Sequence, residues 1–148
     1  MINLKWSLST QSNCLEFFSP PRIRRFLDYF WSRWSPHHPI VHKPLFDACT
    51  ASTPLLCVMV IIGACLSPRK NDGNIAKIWL DSAEELVFNQ PLLRGDYETS
   101  RKAADHEKEK IQCIQSAYLM CSVQNREGSG EAQTRIRLYR HAPMVAVR

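Results

Sequence analysis

From Ile23 to Trp34 the apolar residues Ile23, Phe26, Leu27, Phe30, Trp31 and Trp34 recur at i, i+3, i+4, i+7, i+8 and i+11. Arg24, Arg25, Asp28 and Arg33 fall on the other side. This is the period of an amphipathic helix with a broad aromatic face. Pro21 suits its first turn, where a missing N–H is harmless. Pro36, Pro39 and Pro44 then forbid a regular helix, because each lacks a donor and restrains the residue before it. A short helical turn is expected from Pro44. Thr53 is a suitable N-cap with Pro54 at the first helical position. The run from Leu55 to Leu66 is apolar on all sides, which predicts a helix surrounded by protein. At twelve residues it is short of the roughly 18–20 needed to span a bilayer.

Pro68 and Gly73 are expected to end that helix and Asn74 to cap the next. Its apolar stripe is Ile75, Ile78, Trp79, Ala83, Leu86 and Val87, with Glu84 and Glu85 outward, and Pro91 stops or kinks it. Residues 93–107 are charged and polar, and a solvated linker is expected there. Ile111, Ile114, Ala117, Tyr118 and Cys121 resume the helical period, and "NREGSG" breaks it. The segment from Glu131 to Arg148 is expected to be helical again, kinked at Pro143. Strand-type alternation does not persist anywhere. The fold class is therefore all-α, an irregular bundle of about five helices packed helix on helix.

At 148 residues the chain fits one domain, and 45% apolar residues are enough for a sizeable core. Residues 1–17 contain no long apolar stretch, resemble no signal peptide and are expected to be poorly ordered. The net charge of +5 favours acidic partners without establishing nucleic-acid binding. Arg135, Arg137 and Arg140 are candidates for weak phosphate contacts, or else one solvated helix face. The six cysteines show no CxxC pair, and four of them sit in apolar helical patterns, as expected of buried thiols in a reducing, intracellular compartment.

The densest chemistry lies in "FWSRWSPHHPIVHKPLF", Phe30 to Phe46. His38 and His42 are four apart, the spacing of two metal ligands on one helix face, with Asp47 or Cys49 as further candidates. Pro39 stands between them and no glutamate follows His38, so neither the helix nor the general base of that motif is present. A structural corner is the better reading: Ile40 and Phe46 dock into the core, and His42 bonds a backbone carbonyl or a neighbouring side chain. No nucleophile elbow or phosphate loop occurs; Gly128 to Gly130 reads as a turn. His106 is expected to be solvated, and Trp31, Trp34 and Trp79 to be core residues rather than a ligand cage.

Four segments, taken in order, resemble one family. "FSPPRIRRFLDYFWSRWSPHHPIVHKPLFD" carries a helix followed by a P-I-x-H-x-P-x-F corner at Pro39, Ile40, His42, Pro44 and Phe46. "PLLCVMVIIGACLS", "AKIWLDSAEELVF" and "IQCIQSAYLMCSVQNREGSGEAQTRIRLYRHAPMVAVR" follow. Together they resemble the fungal-specific transcription factor domain. This is the middle homology region of fungal zinc-finger and zinc-cluster regulators, also known as the xylanolytic transcriptional activator regulatory domain. The final pattern is nearest the subgroup with paired C₂H₂ fingers. The resemblance covers residues 18–148. It implies a regulatory helical region in the nucleus whose structural signature is Phe26, Phe30, Trp34, Pro39, Ile40, His42, Pro44 and Phe46, with no catalytic role for any of them.

The chain has no C₂H₂ finger and no six-cysteine cluster. DNA and zinc binding are accordingly expected from an upstream module, with no metal or cofactor held by the chain itself. Similar domains continue past the position of Arg148, so an incomplete domain is expected, with unpaired apolar surface that favours protein partners or self-association. No membrane association and no small-molecule substrate are expected. The alternatives are a helical adaptor unrelated to transcription and, less favoured, a small metal-dependent enzyme built on His37, His38 and His42.

Overall fold

The computed structural model describes residues 7–95 and 103–147, and the regular elements among them are all helical. They are α1 (Leu8–Phe17), α2 (Pro20–Tyr29), α3 (Thr53–Cys65), α4 (Lys70–Ile78), α5 (Leu80–Phe88), α6 (Pro91–Arg94), α7 (Ala103–Glu127), α8 (Gly130–Arg135) and α9 (His141–Ala146). Two π turns extend this set: Phe30–Trp34 continues α2, and Ile136–Arg140 joins α8 to α9. With α8 and α9 taken as one continuous helix, eight helices are present among the described residues, more than the five or so the pattern predicts.

The extra helices have local causes. Ser7 caps α1, its hydroxyl accepting from the Thr10 N–H at 3.2 Å. Phe17 is almost fully buried, with its ring centroid 5.4 Å from that of Phe26. Residues 8–17 are thus helical where a poorly ordered segment is expected from the pattern. Leu8 and Leu15 both face solvent, so no apolar stripe announces this helix. Trp79, at φ −93° and ψ −4°, separates α4 from α5. Gln90 is extended, and Pro91 opens α6, which buries Leu93. The proposed linker is therefore helical at both ends. Leu93 and Arg94 belong to α6, α7 begins at Ala103, and 96–102 lie outside the described residues.

At the centre stands α3, with Leu55 and every residue from Val58 to Ala64 buried. Its cap is Ser52 rather than Thr53: the Ser52 hydroxyl accepts from the Leu55 N–H at 3.4 Å. The α2 helix crosses α3 so closely that a Cβ on Gly63 would lie 1.8 Å from the Phe26 carbonyl oxygen. After α3, α4 begins at Lys70, so Gly73 and Asn74 lie inside the helix instead of ending one and capping another. A polar tie joins α2 to α4: Arg25 donates to both oxygens of buried Asp72 at 3.2 and 3.1 Å. Ser67 donates to the same carboxylate at 2.7 Å.

The long α7 helix closes the bundle with a face shifted from the predicted one, Ala117 and Cys121 being common to both. Cys113, Ala117, Leu119, Met120, Cys121 and Val123 are buried, whereas Ile111, Ile114 and Tyr118 are exposed. On α5, Ile78 just before it and Leu86 are exposed, and Glu84 is 1% exposed. Helical spacing identifies a face only to within a turn or so, and the neighbours of each helix decide where its edges fall.

Candidate functional site

The histidine-proline corner begins in the first π turn. The Ser35 N–H donates to the Phe30 carbonyl at 2.9 Å, a five-residue closure that inserts one extra residue into the turn. Phe30 and Trp34 both point into the core, as does Phe26. Two successive donors, the N–H groups of His37 and His38, then bond the Trp34 carbonyl at 3.0 and 3.1 Å and end the helix. The His38 ring lies against Trp34 with centroids 4.7 Å apart.

Beyond Pro39 the chain bends at Val41, which is the residue that enters the core. Ile40 is half-buried, and His42 is exposed. The carbonyl bond expected from His42 is not found among the described residues, because its ring faces water. Pro39 and Pro44 are exposed, and Pro44 lies in a 3₁₀ turn, Lys43–Leu45. Phe46 is half-buried and meets Trp31 edge to face at 5.4 Å.

Two glutamines of α7, which no motif marks, hold this corner. Gln115 Nε2 donates to the Ile40 carbonyl at 3.0 Å. Gln112 Oε1 accepts from the Ser52 N–H at 2.9 Å, at the start of α3. Prolines leave carbonyls without a helical partner, and a buried or half-buried carbonyl needs a donor from elsewhere. The hint in the sequence is a pair of glutamines three apart in the more apolar stretch that begins at Ile111. The corner is thereby clipped to α7.

The histidines do not converge. His37 and His42 are exposed, His38 leans on Trp34, and Asp47 is engaged locally, accepting from the Cys49 N–H at 2.9 Å. Among the described residues, no group of three or more His, Cys, Asp or Glu side chains is placed to hold a metal ion. The donor set there does not fit zinc. Burial pushes the Cys57 thiol up to about 12, and those of Cys65, Cys113 and Cys121 to about 11. At neutral pH these are protonated, unreactive thiols.

The basic C-terminal helix turns two of its three candidate arginines inward. Arg135 Nε donates to Glu84 at 2.5 Å, and Arg140 donates to the same oxygen at 3.3 Å. Arg135 also donates to Asp81 at 3.0 Å, and Gln124 Nε2 donates to that Asp81 oxygen at 2.9 Å. The guanidinium of Arg140 lies 4.6 Å above the centre of the Phe88 ring. Hydrogen bonding to Glu84 raises the pKa of Arg135 further, so its charge is permanent. These two arginines are thus committed to carboxylates rather than free for phosphate, while Arg137 is exposed. The correction comes from Glu84, whose inward position the α5 pattern does not reveal.

The arrangement defines an all-helical scaffold: an aromatic helix crossing a buried one, a proline corner clipped to the longest helix, and a C-terminal helix keyed in by a buried carboxylate. A family model described as the fungal specific transcription factor domain matches residues 27–126, from α2 through the corner to the end of α7. The chain belongs to that family. Transcription factor verF of Penicillium polonicum is 42% identical over 147 residues, which is 98% of this chain and 20% of that protein. The chain therefore spans about a fifth of the length of this curated relative. No solved structure matches the chain.

Proposed function

We propose that the chain is a regulatory helical region of a nuclear transcription regulator, acting by packing and contact rather than by catalysis. DNA and zinc binding belong, in this reading, to a module elsewhere in the same protein. The chain itself uses no metal or cofactor. One observation carries the reading: the family match over residues 27–126. The likeness to a protein named as a transcription factor supports it.

The geometry suggests how such a region would work. Gln115 of α7 bonds the corner at Ile40, and Gln112 of the same helix bonds Ser52 at the start of α3. A partner that displaces α7 would therefore move the corner with it. Packed interfaces of this kind shift between discrete arrangements instead of deforming smoothly, which suits a relay to a neighbouring module.

The test is genetic. The gene is deleted, then complemented with a wild-type copy or a Gly63→Leu copy, and transcripts are measured genome-wide. A set of transcripts should change on deletion and recover with the wild-type copy only. Transcripts unaffected by deletion, or fully restored by the core-disrupted copy, would overturn the reading.

A further inference from the structure

A recess of about 490 Å³ lies between α1, α2, α3 and α5, away from the corner and from the Glu84 cluster. Two helix faces form it. On α3, Leu56, Cys57 and Val60 follow helical spacing; opposite them, Trp79, Ala83 and Leu86 do the same at α5. Phe18 closes one end, its ring meeting Trp79 edge to face with centroids 6.4 Å apart. The α3 helix is apolar on every side, and this is the side that its neighbours leave incompletely covered. Leu56, Cys57 and Phe18 are only half-buried, and Leu86 at the rim is 37% exposed.

We infer that this recess is a binding site for one small, neutral, mainly apolar molecule with an aromatic portion. Its volume falls within the roughly 300–1,000 Å³ of sites that take small organic ligands. The lining contains no ionisable carboxylate, amine, imidazole or guanidinium; its polar side-chain groups are the hydroxyls of Thr53 and Ser82, the indole N–H of Trp79 and two thiols. An ion placed there would lose water without gaining a partner, which excludes charged ligands. The hydroxyls suit one or two neutral polar groups, and the Phe18–Trp79 corner offers aromatic faces to a ring. The two thiols, Cys14 and Cys57, are held protonated by burial, so they serve as soft apolar contacts and not as nucleophiles.

The inference goes beyond the transcriptional reading, and its test involves no DNA, so either can fail alone. The purified chain is titrated with N-phenyl-1-naphthylamine, a neutral fluorescent probe, and with its sulfonated counterpart 1-anilinonaphthalene-8-sulfonate. The neutral probe should saturate at one per chain with micromolar affinity, quenching tryptophan emission, and the anion should bind at least about tenfold more weakly. Ala83→Phe fills the recess, and Leu86→Glu sets a carboxylate at its rim. Each should weaken the neutral probe by about tenfold or more, while Leu138→Ser, at an exposed residue outside the lining, should not. Should Ala83→Phe fail to fold, the rim variant decides, since Leu86 is already partly in water. Binding that does not saturate, equal affinity for the two probes, or affinity untouched by Leu86→Glu would each overturn the assignment.

Discussion

Two regions of this chain bury side chains equally deeply by opposite means. Where α2 crosses α3, contact is apolar and the backbones approach until only a glycine fits, at Gly63. Where the C-terminal helix meets α5, the buried group is a carboxylate, Glu84, held by Arg135 and Arg140. The first region derives stability from area removed from water and from close contact. The second gains little net free energy, because desolvating the charges offsets their attraction. Its physical role is placement: only one position of α8 and the following π turn brings both guanidinium groups to Glu84. Loss of volume control should break the first region, and loss of one charge sign should break the second.

The largest effect is expected at Gly63. Gly63→Leu drives a side chain into the Phe26 backbone, which has no room to yield, and the thermal melt followed by circular dichroism should lose its cooperative transition. Gly73 provides the contrast. It too lies in a helix, but a Cβ there would make ordinary contacts, the nearest at 3.7 Å. Gly73→Ala should therefore stabilise, by up to about 1 kcal/mol. A wild-type melt for Gly63→Leu would contradict the close crossing.

Next comes the ion cluster. Arg135→Ala with Arg140→Ala leaves Glu84 buried and unpaired, and should destabilise the chain by roughly 3–5 kcal/mol in urea unfolding. Adding Glu84→Leu should recover most of that loss, because the uncompensated charge is gone. If the triple variant is no more stable than the double, the cluster does not act through charge pairing.

The corner should give the smallest effects, graded by burial. Val41→Ala should lose about 2 kcal/mol and Gln115→Ala about 1 kcal/mol, the latter from an unbonded carbonyl. His42→Ala should change stability by no more than about 0.5 kcal/mol. The same urea measurement checks all three, and a His42 effect as large as that of Val41 would restore the histidine as the anchor.

Much of the apolar architecture was legible in advance. Six residues at helical spacing marked α2, and an unbroken apolar run marked α3 as the buried centre. Prolines marked the corner, though not which of its residues enters the core. Faces were read less well: on α7 the stripe through Ile111, Ile114 and Tyr118 is largely outside, and on α5 Glu84 is inside. Helix α1 has no legible period because its contacts with the core are Cys14, Phe17 and the neighbouring Phe18, all at its C-terminal end.

By itself, the order of residues determined that the chain is helical, where its central helix lies, and that a proline-rich bend interrupts it. These are local properties, dictated by backbone restraint and by the spacing of groups that avoid water. Only the tertiary structure decided that Glu84 faces inward to meet Arg135 and Arg140, that Gln115 holds the Ile40 carbonyl, and that a recess remains beside Trp79. Each depends on which helix lies opposite, because a polar group is buried only where a distant partner reaches it, and a gap exists only between surfaces that have already packed.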